Sequence, residues 1–233
     1  MTDSCHGSNQ TLALKELLNS IDRIAEIKKN SYLFAEGDPV NELYILRSGK
    51  VQISKLSPTG KELALRLCKP GDIVGELPMQ QENVKYILNA KVLEDGEVAV
   101  IQNATLEEKL LQNSKLAVDF LKLMNEYSRR DQTRFRDLVL YGKKGALFST
   151  LIRLANSYGK TQQNGILIDH VITNQELANF CGTSRESVNR MLSDLKQQQI
   201  ISVNRKYITI HNLEYLKTEI NCEDCPVVLC CIH

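Results

Sequence analysis

Short, mostly apolar runs separated by polar residues and glycines follow one another over residues 31–103. Runs of this kind between glycine turns are typical of β strands. The clearest runs, separated by glycines, are Leu43–Leu46, Val51–Ile53, Leu63–Leu67 and Val98–Ile101. They predict an antiparallel β sandwich or barrel for this part of the chain. Apolar residues at near-helical spacing from Leu12 to Ile24 predict a short amphipathic helix before it.

The periodicity becomes helical between residues 105 and 141, a stretch without proline or glycine. Apolar residues recur there at intervals of four, three and four, at Leu116, Phe120, Leu123 and Tyr127. The stripe fits a core helix, or a helix that pairs with a second copy of the chain. Pairing is favoured because so long a helix between two compact regions cannot bury its stripe within one small domain. Gly142 and Gly145 predict a hinge at its end.

Residues 143–212 carry the pattern of two helices followed by a hairpin. Thr173 with Glu176 three residues later is a capping box, and it starts the first helix. Gly182 separates this helix from a second one, predicted from Arg185 to Gln198. Two alternating runs then flank Asn204–Lys206. Helix, turn, helix and β-wing is the layout of a winged helix-turn-helix.

The outward residues of the second helix suit the edges of DNA bases. Arginine pairs with guanine, glutamate accepts from cytosine, and asparagine pairs with adenine. The candidates for base contact are Arg185, Glu186, Asn189 and Arg190. Arg205 and Lys206 at the wing tip, and Lys143 and Lys144 at the hinge, are candidates for phosphate contact. A solvated polar face is the alternative for each residue taken alone, but the helix-turn-helix-wing context favours DNA.

Charge and composition support this interpretation. The chain of 233 residues has a formal net charge of +1, yet residues 143–210 hold nine basic and only four acidic side chains. Such a local excess favours a polyanionic partner. With no apolar run long enough for a bilayer and no signal-peptide pattern, we expect a cytoplasmic protein without membrane contact. With no catalytic motif, we expect that it is not an enzyme.

Four of the seven cysteines fall in the last twelve residues. Cys222, Cys225 and Cys230 have the spacing Cys-x2-Cys-x4-Cys, which brings three thiols within reach of one metal centre. The spacing fits an iron–sulfur cluster and equally a zinc site completed by Cys231 or His233. A thiol switch and a disordered tail with incidental cysteines are the remaining alternatives.

The sequence resembles the CRP/FNR family of transcription regulators over nearly its whole length. The resemblance rests on Ile172–Ala178, on Ser184–Leu192 and on Gly71–Leu77, which is similar to the segment that opens the family's cyclic-nucleotide pocket. It implies an α+β fold with an N-terminal eight-stranded antiparallel β-roll, a long dimerisation helix and a C-terminal winged helix-turn-helix. It also implies a homodimer that binds double-stranded DNA and works with RNA polymerase.

The same resemblance suggests how DNA and effector are recognised. The Arg185–Glu186 start of the second helix is typical of the branch that recognises TGTGA-type palindromes. The family's pocket binds the cyclic-nucleotide phosphate through an arginine. This chain has no arginine in Gln80–Tyr86, and Lys85 lacks the bidentate geometry of one. We therefore expect that cyclic nucleotide does not bind.

Within the family, the cysteine tail of this chain resembles that of the Bacillus-type Fnr branch. Its members sense oxygen with a [4Fe–4S] cluster held by C-terminal cysteines of this spacing. The resemblance implies Cys222, Cys225 and Cys230 as ligands, and an aspartate of the long helix, Asp137, as the fourth. Asp131 is a weaker candidate, and so is Cys231, because adjacent side chains cannot easily reach two corners of one cluster.

These observations predict four parts of the chain. They are a β-roll sensor-like domain (1–104), a dimerisation helix and hinge (105–142), a winged helix-turn-helix (143–212) and a C-terminal helix with a cluster-binding cysteine tail (213–233). The predicted function is oxygen-responsive regulation of anaerobic genes. Two rival functions stay open: a regulator of the same fold with a small-molecule effector, and a zinc-stapled DNA-binding protein without a sensing role.

Overall fold

The computed structural model describes Leu17, residues 21–79 and residues 81–233. The first strand, β1, is Arg23–Ile27, and it pairs antiparallel with a later strand from Arg23 opposite Val100 to Ile27 opposite Gly96. The helix predicted to reach Ile24 is therefore wrong at that residue, because pairing with a distant strand overrides the local apolar spacing. Apart from Leu17, the part of that prediction before residue 21 lies outside the described residues.

The N-terminal part is one antiparallel sheet. Its six described strands are β1, β2 (Tyr32–Phe34), β3 (Glu42–Leu56), β4 (Glu62–Cys68), β5 (Ile73–Val74) and β6 (Asn89–Gln102). The order is β1-β6-β3-β4, with β2 also paired to β6 and β5 to β3. The predicted antiparallel roll is confirmed.

The two longest strands, β3 and β6, pair with each other but change register between Leu46 and Val51. Gly49 lies at this irregularity with φ +86°, and a Cβ there would stand 2.7 Å from the carbonyl oxygen of Glu94. Only glycine fits so close an approach of two backbones. The six described strands are fewer than the eight expected, because β3 and β6 continue through this irregularity as single long strands.

Two helices follow the sheet. Helix α1 is Asn103–Gln112, and helix α2 is Ser114–Tyr158 with one non-helical residue, Gly142, at φ 60° and ψ −157°. The backbone leaves helical geometry at Gly142, where the hinge was predicted, whereas Gly145 stays helical; that the break moves as a hinge stays a prediction. The break at Asn113, whose backbone is extended, was not predicted; its side chain accepts a hydrogen bond from the Leu116 amide at 3.1 Å and so begins α2. We call the parts of α2 before and after Gly142 its first and second arms.

The predicted dimer stripe is buried within the single chain. Leu116, Phe120, Leu123 and Tyr127 are all less than 8% exposed. The stripe is therefore a core face, and its assignment to a dimer seam is wrong. The apolar residues that α2 leaves exposed are Val118, Leu121, Phe135, Val139 and Leu140.

The C-terminal part combines a second antiparallel sheet with short helices. Its elements are β7 (Gly159–Gln162), β8 (Gly165–Ile168), α3 (Asn174–Phe180), α4 (Arg185–Gln197), β9 (Ile201–Asn204), β10 (Tyr207–Ile210), α5 (Leu213–Glu219) and the 3-10 turn Val227–Leu229. The sheet order is β7-β8-β10-β9. Together with the second arm of α2 these elements form the predicted winged helix-turn-helix.

The cysteine tail belongs to the core of this C-terminal part. Cys230 and Ile232 are buried in the same apolar cluster as Phe148, Leu151 and Leu192. The alternative of a disordered tail is therefore wrong.

No helix among the described residues is long and apolar enough to cross a bilayer.

Candidate nucleic-acid interface and cysteine tail

The first helix of the helix-turn-helix, α3, begins with the predicted capping box. The Thr173 hydroxyl accepts from the Glu176 amide at 3.1 Å, and the Thr173 amide donates to the Glu176 carboxylate at 2.6 Å. After Gly182, which takes φ +54°, Ser184 caps α4 by accepting from the Ser187 amide at 3.3 Å. These local bonds fix where the second helix starts.

Helix α4 buries one face and exposes the other. Val188, Leu192 and Leu195 are buried. The four predicted base-reading residues all lie on the exposed face: Arg185, Glu186, Asn189 and Arg190. The structure therefore places them together, in the first two turns of the helix that would enter the major groove.

Glu186 is held ionised at the start of α4. Hydrogen bonds from its own backbone amide and then from the Ser184 side chain lower its pKa below the ordinary value. An ionised carboxylate can only accept hydrogen bonds. Glu186 is therefore suited to a base that offers a donor, as cytosine does in the major groove.

The wing brings further positive charge to the same side. Strands β9 and β10 pair with Tyr207 opposite Asn204, and the turn between them is made by Arg205 and Lys206, both exposed and at positive φ. Lys206 and Arg185 line one cavity of about 500 Å3, together with Asn174. Of the two residues predicted to contact phosphate at the wing tip, Lys206 thus lines the cleft beside α4.

Asn174 is a residue that the sequence analysis missed. Its side-chain amide donates to the Oδ1 atom of Asn189 and so ties α3 to the exposed face of α4. The available signal was its place in the first turn of α3. By contrast, Lys144 at the hinge bonds the Glu219 carboxylate at 2.7 Å, which gives it a protein partner in place of a phosphate.

The three predicted cysteine ligands are free thiols, and Cys222 and Cys225 both interact with Cys230. Cys230 is buried, and Cys222 and Cys225 pack against the same apolar cluster. Burial raises the pKa of Cys230 to about 11, and interactions with Cys225 and Cys222 act in the same direction, whereas Arg153 opposes them. Without metal, Cys230 is a neutral thiol at pH 7, so a metal would have to displace its proton.

Asp137 is buried, at 3% exposure, not a surface carboxylate. The Ser149 hydroxyl and the Arg136 guanidinium donate to it, the latter at 2.8 and 3.0 Å, and Arg153 lies 3.4 Å away. Arg136 also interacts with Cys225. Each arginine beside Asp137 thus also interacts electrostatically with one thiol, Arg136 with Cys225 and Arg153 with Cys230. The weaker candidate, Asp131, is exposed.

The structure also describes the two remaining candidates for a fourth ligand, Cys231 and His233. Cys231 is buried and disulfide-bonded, so it is not among the free thiols. His233 is buried at the chain end. Among the residues that the structure describes, no three His, Cys, Asp or Glu side chains are already arranged around a common metal position.

Comparison with known proteins identifies the chain. The family model for the cyclic nucleotide-binding domain matches residues 24–113, and that for the Crp-like helix-turn-helix domain matches residues 146–219. An "Anaerobic regulatory protein" of Bacillus subtilis is 51% identical over 218 residues, which cover 93% of this chain and 92% of the relative. The chain belongs to the CRP/FNR family.

Relatives and solved structures of lower sequence identity also match the chain. A "CRP-like cAMP-activated global transcriptional regulator" of Mycobacterium tuberculosis is 28% identical over 88% of the chain and 89% of the relative. The solved structure of the c-di-GMP-responsive global regulator CLP of Xanthomonas campestris matches with a TM-score of 0.73 at 21% identity, covering 85% of this chain and 98% of that one. This CRP/FNR protein is a DNA-binding transcription regulator, and its relatives are regulators rather than enzymes.

The β-roll of this CRP/FNR member carries the cyclic nucleotide-binding domain pattern without the expected arginine. Gly75 takes φ +121°, and burial raises the pKa of the neighbouring Glu76. In the segment where the family has its arginine, the ring of Tyr86 stacks on Phe34 at 3.7 Å and its hydroxyl donates to the Glu42 carbonyl at 2.7 Å. Lys85 is exposed. That cyclic nucleotide does not bind stays a prediction.

Proposed function

We propose that this chain is an oxygen-responsive regulator of anaerobic genes, active as a homodimer on a TGTGA-type palindrome. In this proposal Cys222, Cys225, Cys230 and Asp137 hold a [4Fe–4S] cluster. The observation that carries it is that Arg136 and Arg153, which pair with the buried aspartate of α2, also interact electrostatically with two of the three free thiols, Cys225 and Cys230. The 51% identical "Anaerobic regulatory protein" supports the same reading.

The donor set suits such a cluster. Iron–sulfur clusters are held by cysteine thiolates, and the nearby guanidinium groups of Arg136 and Arg153 would offset the negative charge of thiolates. When bound, the cluster would supply a centre that reacts with oxygen. Asp137 would have to exchange an arginine or Ser149 contact to act as a ligand. Cys231 adjoins Cys230 and is disulfide-bonded, which makes it the less suitable fourth ligand.

The homodimer would form along the exposed apolar residues of α2. Val118, Leu121, Phe135 and Val139 follow the three-and-four spacing of a coiled-coil seam and are between 49% and 68% exposed. Two copies paired there would present two α4 helices to the two halves of a palindrome.

The oligomeric state of two variants tests this seam. Leu121→Glu should yield a folded monomer in analytical ultracentrifugation, whereas Lys122→Gln, one residue away, should stay dimeric. A dimeric Leu121→Glu protein would contradict this seam.

Iron and acid-labile sulfide analysis of protein purified without oxygen tests the proposed cofactor. Close to four iron and four sulfide per chain are expected for the wild type, with visible absorbance from thiolate–iron bonds. Cys225→Ala should lose both, and Cys68→Ala, a buried cysteine of the β-roll, should keep them. One zinc per chain without sulfide would instead indicate the zinc-stapled protein.

One observation favours a second candidate function. Residues 24–113 match the cyclic nucleotide-binding domain, and one relative is named as cAMP-activated. A small molecule in the β-roll is therefore the alternative effector. Calorimetry with cyclic AMP decides between the two: the proposal predicts no heat of binding, and micromolar binding that changes DNA affinity would favour the alternative.

A further inference from the structure

The main chain of the tail is bound to α2 at four successive residues. Each backbone carbonyl from 228 to 231 accepts a hydrogen bond from a side chain of that helix. The pairs are Arg130 to Val228 at 2.8 Å, Arg153 to Leu229 at 2.9 Å, Asn156 to Cys230 at 2.7 Å and Arg134 to Cys231 at 2.8 Å. No side chain of the tail takes part in these four bonds.

The four donors come from both arms of α2. Arg130 and Arg134 precede Gly142, and Arg153 and Asn156 follow it. A Cβ built on Gly142 would meet nothing within 4 Å, so side-chain packing at the break itself does not fix its geometry. The docked tail therefore joins two helical segments that are also linked directly, by the Arg153–Asp137 ion pair and by the bonds of Ser149 to Asp137 and of Arg153 to Thr133.

One of these bonds, from Arg153 to Leu229, is buried, and the other three are partly buried. Arg153 is 1% exposed and Arg130 is 3% exposed. Hydrogen bonds from a charged donor are stronger than neutral ones, and water competes little when the pair is buried. The second arm also supplies Leu147, Phe148 and Leu151 to the core of the winged helix-turn-helix. The docked tail thus directly contacts the helix arm that forms part of the core of the DNA-reading domain.

We propose that Arg130, Arg134, Arg153 and Asn156 are positioning residues that form a carbonyl clamp. The clamp docks the tail on both arms of α2 through its main chain, before any metal binds the thiols. It seats the cysteines against the helix, and it makes the tail a brace across the Gly142 break. This inference goes beyond the proposed cluster and does not depend on it.

Hydrogen–deuterium exchange of the full-length, metal-free protein tests the clamp. The observed amides are those of Leu229, Cys230 and Ile232, which are hydrogen-bonded in the docked tail, together with those flanking Gly142. Asn156→Asp keeps the side-chain shape but turns the donor facing the Cys230 carbonyl into an acceptor. We expect tail exchange to rise about tenfold, as for loss of a local contact, and exchange around Gly142 to rise with it.

Three further proteins sharpen the test. Gln162→Glu, which makes the same chemical change on an exposed residue of β7, should exchange like the wild type. Arg134→Met removes a donor from the first arm and should also release the tail, which covers the case that Asn156→Asp fails to fold. Cys222→Ala/Cys225→Ala removes two thiols and should leave tail exchange within about twofold of the wild type.

Two outcomes would overturn the clamp. One is unchanged tail exchange in folded Asn156→Asp and Arg134→Met proteins. The other is release of the tail in the double cysteine variant, since the thiols would then hold it. Because the measurement is made without metal, its failure leaves the cluster proposal untouched, and absence of iron in the wild type leaves the clamp untouched.

Discussion

Arg153 and Asp137 form a buried ion pair across the Gly142 break in α2. Their side chains are 2% and 4% exposed, and the guanidinium nitrogen lies 3.4 Å from the carboxylate oxygen. Arg153 also donates to the Leu229 carbonyl of the tail. One arginine of the second arm therefore contacts both the candidate fourth ligand in the first arm and the docked tail.

The pair predicts a large effect of Asp137 on stability without metal. Asp137→Ala leaves Arg153 buried without its carboxylate, which typically costs about 3–5 kcal/mol. Asp131→Ala, an exposed change in the same helix, should cost under about 0.5 kcal/mol. Denaturant unfolding of the metal-free proteins measures both free energies. Equal values for the two variants would show that the ion pair does not matter.

The identity of the fourth cluster ligand needs a test whose result does not depend on the stability of the variant protein. Asp137→Asn keeps the size of the side chain and a hydrogen-bonding oxygen, but removes the anionic ligand. In Mössbauer spectra of anaerobic protein, the wild type should show one iron site distinct from three thiolate-bound sites. That site should be altered in Asp137→Asn and unchanged in Asp131→Asn and Cys231→Ala. An altered site in Cys231→Ala alone would reassign the ligand.

Arg190 and Lys206 are expected to act differently on DNA. Arg190→Ala should cost about 1–3 kcal/mol of binding to a TGTGA-type palindrome and reduce its discrimination from random DNA. Lys206→Ala should weaken all sequences alike, because a phosphate contact carries no base information. Binding isotherms on both DNAs measure this. Undiminished discrimination in Arg190→Ala would contradict its base-reading role.

Asn174 should influence the base read by Asn189. Because Asn174 donates to Asn189 Oδ1, it orients the amide of its neighbour. Asn174→Ala frees that amide and should broaden the preference at one base position in a selection from randomised half-sites, with little change elsewhere. Gln175→Ala, whose side chain bonds Asn179 within α3, is the control. Identical preferences in wild type and Asn174→Ala would contradict the orienting role.

Structural features that depend on residues close together in the sequence were predictable. The capping box of Thr173 and Glu176 and the wing turn at Arg205 and Lys206 depend on residues a few positions apart, and both are as expected. The stripe that includes Leu116 and Phe120 was correctly predicted to be buried. Its partner was not, because periodicity shows that a face is buried and not what covers it.

Features set by distant partners were missed. The strand at Ile24 exists because it pairs with Ala99, and no local pattern marks that pairing. Asn156 donates to a carbonyl 74 positions away, and backbone acceptors leave no trace in side-chain identity. Sequence spacing therefore identified the tail cysteines, but only the folded chain shows what holds them.

In the proposed function, DNA binding depends on oxygen through the tail. Its most direct test is the affinity for a TGTGA-type palindrome, measured by fluorescence anisotropy on one anaerobic preparation before and after exposure to air. We expect tight binding before exposure, at least about tenfold weaker binding afterwards, and weak binding under both conditions for Cys225→Ala. Equal affinity of the wild type before and after air, or equal affinity of the wild type and Cys225→Ala without oxygen, would contradict it.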